Sequence, residues 1–169
     1  MDNEKKYILT NLVSAKPMTK GEYRLYVKNN NYQNVNVPSI FKGLMNSEQS
    51  IHMEGYMVEM YGNVMWFPKK VFELMAIQVV DNKKLPSGVN IDEAMVDDFI
   101  SCHDTMTVGN KTTVVRATLR NGFEIIESSG CVDDANYDLG IGEKVCLKKI
   151  KTKVWEYLGF LLQSAWRGF

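Results

Sequence analysis

Two dipeptides of glycine and asparagine limit this chain more than anything else in it. Gly109-Asn110 and Asn121-Gly122 separate three runs, HDTMTV (103–108), KTTVVRATL (111–119) and GFEIIESS (122–129), each alternating apolar with polar residues. A tight hairpin turn needs positive φ, which glycine and asparagine tolerate, and Asn-Gly is the strongest short signal for one. Three strands joined this tightly make an antiparallel meander. On the middle strand Thr113, Val115, Ala117 and Leu119 share one face, and Thr112, Val114, Arg116 and Thr118 the other. The apolar face needs a cover.

The cover comes next in the chain. A long helix is expected from about Asp133 to Trp166, with Asp133 as N-cap and Asp134 favouring the dipole in the first turn. Leu139, Cys146, Leu147, Ile150, Val154, Leu158 and Leu161 fall on one stripe at helical spacing. Val145, Trp155, Phe160 and Leu162 lie outside it. A helix apolar on more than one side needs a further neighbour, either the N-terminal part or another copy of the chain. Between the apolar positions stand Lys144, Lys148, Lys149, Lys151 and Lys153. They either solubilise the remaining surface or, in part, face a phosphate.

Ahead of the meander, YILTNLVSA reads as a strand and PMTKGEYRLYVKNN as a helix capped by Thr19, with Glu22 completing a capping box. NNNYQNVNVP is expected to be a loop. HMEGYMVEMYGNVMWFP makes two strands around a turn at Tyr61, Gly62 and Asn63, and PKKVFELMAI a helix with Pro68 in its first turn. Tyr56, Trp66, Phe67 and Phe72 are expected in its core. NIDEAMVDDFISCH is a short helix capped by Asn90, with Glu93 at capping-box spacing and an acidic, solvated face. The expectation is an α+β chain: a small unit over residues 1–80, a linker at 81–90 (DNKKLPSGVN), and the meander with its long helix over 91–169.

Net charge is zero, so no global field draws the chain to nucleic acid or to a membrane surface. No apolar run approaches the length of a membrane span, and no signal-peptide block follows the first charges. Cys102, Cys131 and Cys146 form no CxxC pair and have only His52 and His103 for company, which argues against zinc and for reduced thiols in a cytoplasmic protein. No cofactor is expected. His103-Asp104 is the one adjacent pair that could serve acid–base chemistry, with no nucleophile nearby in sequence.

The stretch NGFEIIESSGCVDDANYD (121–138) suggests a site that binds an anionic, aromatic molecule without transforming it. Phe123 or Tyr137 would stack on a purine. Asn136, with the backbone and hydroxyls of Ser128 and Ser129, would hydrogen-bond a base or ribose, and Arg116, Arg120, Lys149 and Lys153 would hold phosphate. The same residues have a structural reading, with Asp133 a cap, Phe123 core and Asn136 a turn former.

Leu119, Asn121, Gly122 and Phe123, then Ser128, Cys131, Val132 and Asp133, then Asn136, Tyr137 and Asp138, with Ile141-Gly142 and LGFLL (158–162), follow one another in a specific order. This pattern, over about residues 90 to 163, resembles a phage family named after gene products forty-nine and sixty-six of two tailed phages. Asp134 stands where a proline is frequent and Gly130 where an alanine is. The architecture is similar to the first Thoeris anti-defence family. That resemblance implies a non-enzymatic homo-oligomer, dimer up to hexamer, in the host cell cytoplasm. It would sequester a cyclic nucleotide signal of the glycocyclic ADP-ribose type, some members also holding cyclic oligonucleotides. The alternatives are an inhibitor acting through protein contacts and a nucleotide-degrading enzyme. MTKGEYRLY and GYMVEMYGNVMWFPKKVFE resemble a small module at the front of various phage proteins, with no function implied.

Overall fold

The computed structural model describes Ile8, residues 10–30, Tyr32 and residues 51–169. Its contacts divide the chain into a unit spanning Asn11–Ile77 and a second containing Gln78–Phe169. Each has a three-stranded antiparallel sheet and helices, and the chain is α+β.

In the first unit the strands β1 (Ser14–Thr19), β2 (Glu54–Met60) and β3 (Asn63–Pro68) lie in that order. β1 starts later than expected. Ile8 and residues 10–13 are not in a strand, while Tyr7 and Leu9 fall outside the described residues. Pro17 has no N–H to give, and β1 accommodates it because it is an edge strand. Helix α1 (Lys20–Asn29) opens on the expected capping box: Glu22 N donates to Thr19 Oγ1 at 3.2 Å and Thr19 N to Glu22 Oε2 at 2.6 Å. The Asn-rich loop expected after it lies almost wholly outside the described residues.

The β2–β3 turn holds two residues, Tyr61 at φ 52° and Gly62 at φ 74°, and Asn63 already belongs to β3. Pro68 caps α2 (Lys69–Met75) rather than sitting in its first turn, since it still pairs with Gly55 across the sheet. Tyr23, Met57, Val64 and Trp66 form the core. Trp66 donates through Nε1 to the Met18 carbonyl at 3.2 Å, and Tyr23 through its hydroxyl to that of Val64 at 3.1 Å. Of the four aromatics expected inside, only Trp66 is fully buried. Tyr56 and Phe67 are half-buried against Phe72, with ring centroids 4.6 and 6.3 Å away.

The second unit begins with a loop closed on itself, Asn82 N donating to Gly88 O and Gly88 N to Leu85 O. Asn90 is part of that closure, donating to the Val80 carbonyl at 3.1 Å, so it does not cap the next helix. Asp92 does, accepting from Met95 N at 2.8 Å at the start of α3 (Glu93–Phe99). The meander follows as β4 (Ile100–Val108), β5 (Thr112–Leu119) and β6 (Glu124–Gly130), in that order. β4 starts three residues before the expected strand, with an irregularity between Ile100 and Cys102. Thr113, Val115, Ala117 and Leu119 of β5 are buried, as their shared face requires.

Helix α4 (Leu139–Arg167) covers that face. It starts six residues later than expected. Asp133 caps only a short 3₁₀ turn, Asp134–Asn136, and Asp138 caps α4 by accepting from Ile141 N at 2.9 Å. The interruption lets Tyr137 turn its ring onto the sheet, which a continuous helix would not. Cys146, Ile150, Val154 and Leu158 are buried as the stripe requires, whereas Leu139 and Leu161 are exposed and Leu147 half-buried. The sheet does not extend under the full length of the stripe. Gly142 is buried on the same face, so close to Thr113 that a β-carbon there would collide with the threonine side chain.

The start of α4 is also tied to β4. Glu143 accepts from Thr105 Oγ1 at 2.7 Å and faces His103 Nε2 at 3.0 Å. The Thr105 hydroxyl first, and His103 second, hold the Glu143 carboxyl below its ordinary range. A carboxylate shifted this way adds stability above its unfolded value of 4.5, and the contribution is lost as the pH falls through the lower folded value.

Two predictions follow from this packing. Gly142→Val should lower stability by about 1–3 kcal/mol through overpacking, whereas Gly159→Ala, with open space at its β-carbon, should raise it by about 0.5–1 kcal/mol; paired denaturant titrations check both signs. Glu143→Gln should lower the melting temperature at neutral pH, and the gap from the parent should close as the pH falls through the lowered folded value of the carboxylate. A gap that stays constant would show that the ionised carboxylate contributes nothing.

Candidate functional site

The residues singled out in the sequence do not meet at one place. Tyr137 is half-buried at the start of α4, its hydroxyl between Thr107 Oγ1 (2.7 Å) and Thr113 Oγ1 (3.1 Å). Its polar end is satisfied and its ring props the helix start on the sheet. Asn136 is exposed beside it, and its backbone N–H donates to Asp133 O to close the 3₁₀ turn.

Phe123 lies at the far end of the unit. It is in the β5–β6 connection rather than in β6, 54% exposed, with Tyr157 edge-on at 6.0 Å. Residues 139 and 157 of α4 are separated by ~27 Å along the axis, so within one chain Phe123 and Tyr137 cannot sandwich the same base. Arg120 is in this connection too, 3.4 Å from Asp98 of α3.

The basic residues are engaged. Arg116 projects from the uncovered face of the sheet between Asp104 (2.7 Å) and Glu124 (3.8 Å), and these carboxylates keep its guanidinium firmly charged. The anion it meets is the protein's own. Lys149 donates to the Ser128 carbonyl at 2.7 Å, and Lys153 pairs with Glu127, whose carboxylate raises the lysine's pKa. Ser128, Ser129, Lys149 and Lys153 thus line the edge between β6 and α4, with neighbours already in place. The pair His103-Asp104 is split by the strand pleat: His103 faces Glu143 while Asp104 faces Arg116 on the opposite side.

A further opening lies on the other flank of α4. A groove of about 790 Å³ runs between α3 and α4, with the half-buried Leu147 and the buried Val96 in its lining, a size suited to a small molecule. Lys144, Lys148, Lys151 and Trp155 line it at spacings of four, three and four residues, which is a single helical face. Trp155 is 45% exposed. Lys151 is held by Asp97 of α3 at 2.6 Å, whereas Lys144 and Lys148 form no ion pair among the described residues. Glu93 and Glu156 stand at the rim.

The sequence contained this signal in two halves, the lysines among the apolar positions and an indole outside the buried stripe. Only the docking of α3 makes them one site. The groove offers a flat ring for stacking, apolar lining and ammonium groups, a set that fits an aromatic molecule carrying phosphate.

A smaller opening of about 690 Å³ near Gly109, Lys111 and Asp133 is polar, and Lys111 there already donates to the Val132 carbonyl at 3.1 Å. Cys102 is exposed, Cys131 half-buried and Cys146 buried, all as free thiols. Among the described residues no three histidine, cysteine or acidic side chains are placed to share a metal ion, and no helix is long and apolar enough to cross a membrane.

No curated protein and no solved structure matches the chain. Residues 90–166, from just before α3 to the end of α4, match the Phage protein (N4 Gp49/phage Sf6 gene 66) family. The part of the chain that carries the meander, the long helix and the groove is therefore similar to that phage protein family.

Proposed function

We propose that this protein is a phage anti-defence factor that binds a cyclic nucleotide immune signal in the host cell cytoplasm and sequesters it uncleaved. The signal is of the glycocyclic ADP-ribose class, with cyclic oligonucleotides as the related case. The observation that supports this is the groove between α3 and α4, where an accessible indole shares one helical face with two lysines that form no ion pair among the described residues. Trp155 stacks on the adenine, Leu147 packs against the ribose edge, and Lys144 and Lys148 neutralise phosphate. Binding alone suffices for the biological effect. A viral protein in excess over a messenger lowers its free concentration below what the effector senses.

The groove's side chains supply stacking, apolar contact and charge, which fits retention of the ligand better than its turnover. Phe160 and Phe169 are 71% and 84% exposed, and Phe123 and Tyr157 lie open near the β6 edge. We take these aromatics as the surface on which copies of the chain associate, from a dimer up to a hexamer.

The test is calorimetry with a panel of cyclic ADP-ribose isomers and cyclic di- and trinucleotides. At least one should bind and be recovered chemically intact after heat denaturation; recovery of cleavage products would make the protein an enzyme instead. Trp155→Ala should weaken binding by about tenfold or more, the usual range for a lost base-stacking contact, and Lys148→Met should also weaken it, both with unchanged melting temperature. Loss of binding in Phe123→Ala or Asn136→Ala, with Trp155→Ala unaffected, would move the site to the hairpin end or the helix start. A stable complex with a host protein and no response to any nucleotide would replace sequestration by direct protein inhibition.

A further inference from the structure

The three lysines of the groove are not equivalent, and the difference has a function. Lys144 and Lys148 form no ion pair among the described residues, but Lys151, the lysine one turn from Trp155, is tied across the cleft to Asp97 of α3 at 2.6 Å. Asp97 itself is not among the lining residues; it draws the ammonium group towards the α3 wall. We infer that Asp97 is a competing internal anion that holds Lys151 in reserve and thereby sets the affinity of the groove for phosphorylated ligands. This inference rests on the groove being the ligand site.

The exchange is feasible because the pair is open to water on both sides, with the lysine side chain 40% and the aspartate 47% exposed. An exposed ion pair of this kind contributes little net stability, so a phosphate arriving beside Trp155 can take the ammonium while Asp97 rehydrates. The charge balance works in the same direction. The lining holds Lys144, Lys148 and Lys151 beside Glu93 and Glu156, and Asp97 is paired with Lys151. The empty groove thus offers a ligand two ammonium groups, and a third is added when Lys151 changes partner. Weak monoanions that cannot outcompete a carboxylate are left with the two other lysines.

The experiment compares the full-length protein with Asp97→Asn by calorimetry, using cyclic ADP-ribose and inorganic pyrophosphate as probes. Asp98→Asn is the control, since it removes the same charge from the next residue, which faces Arg120 instead. Asp97→Asn should tighten binding about two- to fivefold, the range set by the weakness of an exposed pair. Asp98→Asn should change it less than twofold. The gain should vanish when Lys151 is already methionine, as a double-mutant cycle requires of a direct coupling. If both aspartate variants tighten binding equally, the effect is general electrostatics and the reserve role is wrong. If Asp97→Asn weakens binding while Trp155→Ala also weakens it, the ion pair shapes the site and does not compete for it. If neither probe binds any variant, the reading of the groove as a ligand site fails first and this inference with it.

Discussion

The C-terminal unit depends on the packing of one helix across one three-stranded sheet. Val115, Ala117 and Leu119 of β5 and Ile125 of β6 are buried, and α4 packs along β5 and β6, its Cys146, Ile150, Val154 and Leu158 buried in return. At Gly142 the helix lies so near β5 that a β-carbon would meet the Thr113 side chain. Tyr137, bonded to Thr107 and Thr113, and Glu143, bonded to Thr105, then fix the helix's start on β4 and β5. With so much of the start of α4 anchored, the rotation of the whole helix is set. That rotation decides which flank its lysines and aromatics occupy.

Two consequences for function follow from it. On the flank towards β6, the strand edge satisfies Lys149 and Lys153 through the Ser128 carbonyl and the Glu127 carboxylate. On the flank towards α3, the facing wall is a short helix that supplies Asp97 for one lysine, while two form no ion pair among the described residues. A helix with basic residues all along its exposed sides thereby acquires one neutralised flank and one receptive flank. The receptive flank also carries Trp155. This asymmetry comes from what each neighbour offers, because the lysines themselves are chemically alike.

Much of the fold was legible in the residues. Asn121-Gly122 and Gly109-Asn110 announced the hairpins, and period-two burial on β5 followed from Thr113 to Leu119. The Thr19–Glu22 capping box formed as its spacing requires. Helix starts elsewhere were less legible, for a physical reason. Several side chains at Asn90, Asp92, Asp133 and Asp138 can each accept from a backbone N–H two or three residues on, and local sequence ranks them almost equally. Tertiary contacts chose among them. Asn90 was needed to close the loop at Val80, which left α3 to Asp92, and Tyr137 was needed on the sheet, which left α4 to Asp138.

The candidate site shows the same division. The sequence by itself determined that the chain is α+β, that a meander is covered by a long helix, and that this helix carries an indole and several lysines outside its buried stripe. These are properties of periodicity and turn chemistry, which act within a few residues. Only the tertiary structure decided that Phe123 and Tyr137 lie at opposite ends of the unit, that Arg116 is spent on Asp104 and Glu124, and that the opening lies beside Trp155. Those facts depend on the length and rotation of α4 against the sheet and on where α3 docks, which are settled by burial of apolar surface between segments distant in sequence and cannot be read from any one of them.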